Sequence, residues 1–144
     1  MIAEIVGEIV KLAVSPALKR LFNKRNERLK APKGKEPIVV IEVGRPIVAD
    51  AQEQFGEERV VAAISAVRTL QPEEFPKFAA EAYKALVQVA RRVKGRVHII
   101  LSGPVSMNFQ LGQLVGLSHL DIQIWQWFAG EYKPIPPVKR EMMG

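Results

Sequence analysis

Two short turns in this sequence carry residue types that suit a bound anion or a polar ring. Gly44-Arg45-Pro46 follows the apolar run PIVVIEV, and Ser102-Gly103-Pro104 follows RVHIIL. In each, a glycine lets the backbone approach a ligand closely and a proline fixes the φ of the chain that continues. Pro104 opens a helix at a position whose N–H the helix does not need. Arg45 adds a guanidinium matched to phosphate oxygens, and Ser102 adds a hydroxyl. Asn108 lies one turn into the helix on the side of Pro104, with Gln110 and Gln113 nearby. Such amides suit the neutral hydrogen-bonding edges of nucleobases. Ser-Gly-Pro is equally a good strand-to-helix connection with no ligand, and that reading stays open beside the first.

Few catalytic parts accompany these turns. The chain has no cysteine and only two histidines, which removes disulfides, thiolate nucleophiles and histidine-rich metal sites together. No metal, cofactor or general base is therefore expected. His98 falls within a strand and reads as a core or sheet-face residue, while His119 sits in a loop. No G-x-x-x-x-G-K-[ST] occurs, and no G-x-G-x-x-G follows the first apolar strand, which argues against Walker-type NTPases and dinucleotide dehydrogenases. Gly112 and Gly116 are better explained by close helix packing than by phosphate. Trp125, Trp127 and Phe128 read mainly as core, with one tryptophan turned outward if the strand alternates. Trp125 is the candidate for stacking on a base or covering a dimer contact.

These residues need a scaffold, and 144 residues suffice for one domain with a real core. Residues 38–43 are short, β-branched and bounded by Pro37 and Gly44, which predicts a strand. Residues 47–70 fit either a strand followed by a helix or two short helices split at Gly56. Pro72 to Lys94 is the clearest helix, with Glu73 and Glu74 at its start, Arg91, Arg92 and Lys94 at its end, and Phe75, Phe78, Ala79, Ala82, Leu86, Val89 and Val93 along one stripe. Gly95 ends it. A strand over 96–101, a helix from Pro104 to about Val115 and a strand in DIQIWQWF complete the order. Strands alternating with helices over such crossovers predict an α/β, Rossmann-like, mainly parallel sheet flanked by helices. Pro134, Pro136 and Pro137 make the tail extended.

The net charge of +6 is not spread evenly. Residues 1–35 hold nine Lys and Arg against three Glu, and the remaining residues hold twelve of each sign. Ile2, Ile5, Ile9 and Leu12 recur at helical spacing, which predicts an N-terminal amphipathic helix. ALKRLFNKRNERLK continues the basic arm and KAPKGKEP forms a linker, so residues 1–35 are an arm and 36–144 the α/β domain. The arm packs on its own domain or a second copy, docks a separate effector protein, or lies on an anionic membrane surface. Its apolar part is too short and too charged to span a bilayer, and its basic end follows the apolar part, the wrong order for a secretory signal. A cytoplasmic location is expected.

VHIILSGPVSMNFQLGQLVG followed by LDIQIWQWFAGEYKPIPP resembles the C-terminal half of SAVED domains, sensor modules of antiphage signalling systems. Those run from a strand with an embedded His, through a small-residue-Pro turn, into a helix bearing a Gly, then a strand that ends near a Tyr. The matching positions are His98, Gly103, Pro104, Gly112 and Tyr132. The similarity covers about forty residues and extends loosely back to PIVVIEVGRP. It implies a fold related to CARF domains of CRISPR systems and a cyclic oligonucleotide at the carboxyl edge of the sheet. On that reading Gly44, Arg45, Pro46, Ser102, Gly103, Pro104, Asn108 and Trp125 hold the ligand. A SAVED domain fuses two such halves and this sequence holds one, which implies a homodimer or head-to-tail oligomer; it also lacks the nuclease, protease or TIR effector normally attached, which implies that residues 1–35 recruit one or that the protein does something other than activate one. The expected role is a non-enzymatic sensor in CBASS or type III CRISPR signalling. A metal-independent ring nuclease and a scaffold protein with no small-molecule ligand are the alternatives.

Overall fold

The computed structural model describes residues 36–66, 69–92 and 95–144 and, before them, the backbone of residues 3–6 and 9–12. Strand β3 (Ile38–Val43) starts after Pro37 and is buried along its whole length. Helix α1 (Val48–Phe55) ends at Gly56, whose φ of +94° only glycine adopts readily. Strand β4 (Val60–Ala66) follows. A single 3₁₀ turn (Pro72–Glu74), closed by reciprocal capping between Gln71 and Glu74, leads into α2 (Phe75–Arg92). Then come β5 (Val97–Ser102), α3 (Val105–Gly116), β6 (Ile122–Phe128) and β7 (Glu131–Pro134). At the N-terminal end lie β1 (Ala3–Val6) and β2 (Ile9–Leu12).

The seven strands form one sheet in the order β1-β2-β4-β3-β5-β6-β7. Its centre, β4-β3-β5-β6, is parallel, and an antiparallel hairpin extends it at each edge. The expected α/β, mainly parallel architecture is therefore the observed one. Helices α2 and α3 cover one face over Val39, Ile41, Val43, Ile64, Val97 and Ile99, with Phe78, Leu86, Met107 and Leu111 filling the layer between. The other face carries Ile38, Val40, Ala63 and Ile100 under the single short helix α1.

Two expectations are corrected. Residues 47–70 contain a helix and then a strand, in neither of the orders the sequence suggested. β4 reads VVAAISA without alternation because a central parallel strand is buried on both faces. The helical spacing of Ile2, Ile5, Ile9 and Leu12 does not produce a helix either. The backbone there forms β1 and β2, and β2 pairs antiparallel with β4 through Ile9↔Ala66 to Leu12↔Ala63. β-Branched Ile and Val serve a strand well, and the open edge of β4 offers a ladder that an isolated helix lacks. The rest of the expected arm and linker, residues 13–35, lies outside the described residues.

The topology creates one special position. From β3 the chain passes through α1 to β4 on one side, and from β5 it passes through α3 to β6 on the other. The adjacent β3 and β5 thus send their connections apart, and a crevice opens beyond their carboxyl ends, where ligands of open α/β sheets bind.

Candidate functional site

That crevice is a cleft of about 460 Å³, lined by Arg45 and Ile47 after β3, Leu101, Ser102, Gly103, Val105 and Asn108 at the end of β5 and start of α3, and Gln126, Trp127 and Tyr132 from the β6–β7 hairpin. The size falls within the usual range for small-molecule sites, about 300–1,000 Å³. The two turns picked out in the sequence are fastened to each other: the Ser102 hydroxyl donates to the Arg45 carbonyl at 2.8 Å. They can lie this close because residue 103 is glycine. A Cβ there would sit 3.0 Å from the Val43 Cβ, and its φ is +129°.

Beneath the turns stands a residue the sequence reading missed. Glu42 is buried at the end of β3, and its carboxylate accepts hydrogen bonds from the Ile47 N–H (2.6 Å), the Val48 N–H (3.2 Å) and the Ser65 hydroxyl (2.7 Å). It therefore occupies the positive N-terminus of α1 and ties β3, β4 and α1 together. Consequently the Ile47 and Val48 N–H groups are not available to a phosphate, and Arg45 supplies the cation of this side. Arg45 is exposed, and no carboxylate pairs with its guanidinium among the described residues.

The far wall comes from the β6–β7 hairpin. Ala129 and Gly130 both have positive φ (+53° and +85°), as a two-residue hairpin turn that matches strand twist requires. This places Tyr132 opposite Trp127, with ring centroids 4.9 Å apart in an edge-on contact. Gln54 of α1 then clamps Tyr132: its amide donates to the Tyr132 carbonyl at 2.8 Å and accepts from the Tyr132 N–H at 2.6 Å. Burial pushes the Tyr132 phenol above its usual value, the Asp50 and Glu42 carboxylates push the same way, and Arg45 opposes them. The phenol stays protonated at neutral pH, a donor and not a base.

Of the sequence-predicted site residues, Arg45, Ser102, Gly103 and Asn108 line the cleft. Gly44, Pro46 and Pro104 shape the flanking turns without lining it. Trp125 lies elsewhere. The two tryptophans are two residues apart on one strand, so both point to the same face, with Trp127 at the rim and Trp125 deeper. Trp125 packs edge-on against Phe55 at 4.9 Å and donates its indole N–H to His98 Nδ1 at 2.8 Å. His98 in turn faces Glu36 at 3.0 Å through Nε2, near the amino end of the strands. His98 is thus a buried sheet-face residue, as expected, and His119 is exposed outside the cleft. Among the described residues, nothing lies within 4 Å of where a side chain at Gly112 or Gly116 would begin, so close packing against them does not account for these glycines. Gly130 followed by an aromatic strand was the available signal for the Trp127–Tyr132 wall.

Residues 14–136 match the family model described as the SMODS-associated and fused to various effectors sensor domain, SAVED. The match reaches upstream to residue 14, whereas the motif resemblance begins only at residue 37. A search of the curated proteins found no match. Among solved structures, the chain is similar to the Acinetobacter baumannii Cap4 SAVED/CARF-domain containing receptor with the cyclic trinucleotide 2′3′3′-cAAA, at TM-score 0.65 and 19% identity over 91% of this chain and 27% of that one. The same receptor described without a ligand gives TM-score 0.60 and 18% identity over 88% and 25%. With 3′3′3′-cAAA it gives TM-score 0.50 and 24% identity over 77% and 25%. The chain spans about a quarter of that receptor's length, and at these identities the likeness is one of fold.

Proposed function

The chain belongs to the SAVED family of sensor domains, and on that premise we propose that its cleft binds part of a cyclic oligonucleotide and that the protein acts as a sensor in antiphage signalling. One observation carries the reading: an exposed arginine with no carboxylate partner among the described residues, an exposed tryptophan face and an amide meet in a cleft at the switch point between β3 and β5. Arg45 takes a phosphate of the ring, Trp127 stacks on a base, and Ser102 and Gly103 hold the turns at the required spacing. The Cap4 receptors of the same fold are described with cyclic triadenylates, which makes such rings the first ligands to try. Val105, 84% exposed on the cleft, and Phe109, 69% exposed one turn on, form an apolar rim that a second copy covers in a homodimer or head-to-tail assembly. Among the described residues no helix is long and apolar enough to cross a membrane.

Binding is favoured over cleavage because the lining contains no carboxylate and no imidazole to take a proton from a ribose 2′-OH, and Tyr132 is held protonated. Titration of the protein with 2′3′3′- and 3′3′3′-linked cyclic triadenylate tests the proposal, with chromatography of the ring afterwards. Saturable binding with the ring returned intact is expected, together with a rise in particle mass by light scattering. Arg45→Ala and Trp127→Ala should each weaken binding by about 1–3 kcal/mol, and Trp125→Phe should leave it unchanged. Absence of saturable binding to either ring would remove the proposal.

A further inference from the structure

The cleft has two amides, and they are not equivalent. Gln126 donates through Nε2 to the Trp127 carbonyl at 3.4 Å. Asn108 is different: its backbone N–H is satisfied by the Pro104 carbonyl at 3.1 Å, but its side-chain Oδ1 is shut away from solvent with no hydrogen-bond donor of the protein in reach. An amide oxygen in that condition forfeits its water without gaining a partner. The Asn χ2 torsion is broad, so the plane of the amide turns at small expense and presents that oxygen to the cleft it lines.

Ser102 is already committed to the Arg45 carbonyl. Arg45 has donors only, which suit a phosphate and cannot recognise a donor on a ligand. Asn108 is therefore the cleft amide whose acceptor is both unpartnered and cut off from water, whereas Gln126 is exposed to solvent.

Resting on the proposed ring-binding function, we infer that Asn108 is the specificity-determining residue of the cleft and that it selects a base carrying an exocyclic amino group. Oδ1 accepts from the amine and Nδ2 donates to the adjacent ring nitrogen, the bidentate pairing that suits adenine. Stacking on Trp127 is indifferent to base identity, since every base has a π face. Selection thus falls to the amide, which loses its partner when the amine is missing.

The test compares 3′3′3′-cyclic triadenylate with the same ring carrying unsubstituted purine in place of adenine, on the full chain. The natural protein should prefer the adenine ring by roughly tenfold to a hundredfold. Asn108→Leu should erase that preference while binding the purine ring as well as the natural protein does. Asn108→Asp keeps acceptor oxygens and should retain a preference, at lower overall affinity because a carboxylate repels the phosphates. Natural protein that binds both rings equally, or an Asn108→Leu variant that keeps the preference, overturns the inference and leaves the sensor reading standing. Loss of the preference in Asn108→Asp overturns the acceptor assignment. Natural protein that binds neither of these rings overturns this inference, and failure to bind 2′3′3′-cyclic triadenylate as well overturns the parent reading.

Discussion

The two faces of the sheet are made from alternate residues of the same strands, yet they do different work. The buried strand residues of the face under α2 and α3 are all aliphatic, and that layer holds the larger of the two cores. The face under α1 contains all three buried polar residues among those described, Glu42, Ser65 and His98, together with Trp125, Trp127 and Tyr132. An eight-residue helix cannot cover such a surface, so its carboxyl end stays open as the cleft. The contrast teaches that the buried strand residues of one face supply stability, while the buried polar groups and the aromatic wall of the cleft lie on the other, with Asn108 reaching the cleft from the start of α3.

If that division is right, the largest stability losses come from substitutions that leave the cleft untouched. Phe78→Ala removes a fully buried ring from the aliphatic layer and should destabilise by about 3–5 kcal/mol in urea or thermal unfolding. The fraction that remains folded should bind a cyclic triadenylate with unchanged affinity. On the opposite face the expectation reverses. Glu42→Gln keeps the length of the side chain but loses the charge that α1 and Ser65 are arranged around, and should cost about 1.5–3 kcal/mol. Because Glu42 anchors both ends of the 44–46 turn, ring affinity should fall with it, by about tenfold through displaced Arg45. A Phe78→Ala protein with impaired binding, or a Glu42→Gln protein with intact binding, would break the division between the faces.

How much of this was legible in the sequence follows the same contrast. β3, β5 and α2 were readable because proline and glycine punctuate them sharply, and α2 also because only one of its faces is buried. β4 was not, since burial on both faces erases the alternation that identifies a strand. The first twelve residues carry a helical spacing in residues that are mostly β-branched, and pairing with the edge of β4 decided between the two. For the site, Gly44-Arg45-Pro46 and Ser102-Gly103-Pro104 were visible as turns, but nothing local says that they lie side by side. That depends on β3 and β5 being neighbours, a fact of topology. Trp127 and Tyr132 were missed in the cleft because their meeting depends on the tight turn at Ala129-Gly130, and Glu42 because a single carboxylate in an apolar strand gives no pattern.

The smallest expected effect lies at the amino end of the polar face, where the groups are partnered with one another. Trp125 donates to His98 Nδ1, which requires the His98 proton to sit on Nε2, the nitrogen that faces Glu36. That hydrogen bond from His98, and then the one from the Arg96 N–H at 2.6 Å, hold the Glu36 carboxyl below its ordinary value of 4.5. A carboxylate with a lowered folded pKa binds fewer protons folded than unfolded, so its contribution is fully present above about pH 4.5 and is lost as pH falls through the folded value. Glu36 is 43% exposed, and solvent screening keeps the effect modest. Stability of the natural protein should therefore decline more steeply below pH 4.5 than that of Glu36→Gln, while the two bind a cyclic triadenylate alike at neutral pH. Parallel stability curves would show that this closed network contributes nothing to acid sensitivity. A change in ring affinity would mean that the amino edge communicates with the cleft, through the chain of rings from Trp125 and Phe55 to Tyr132 and Trp127.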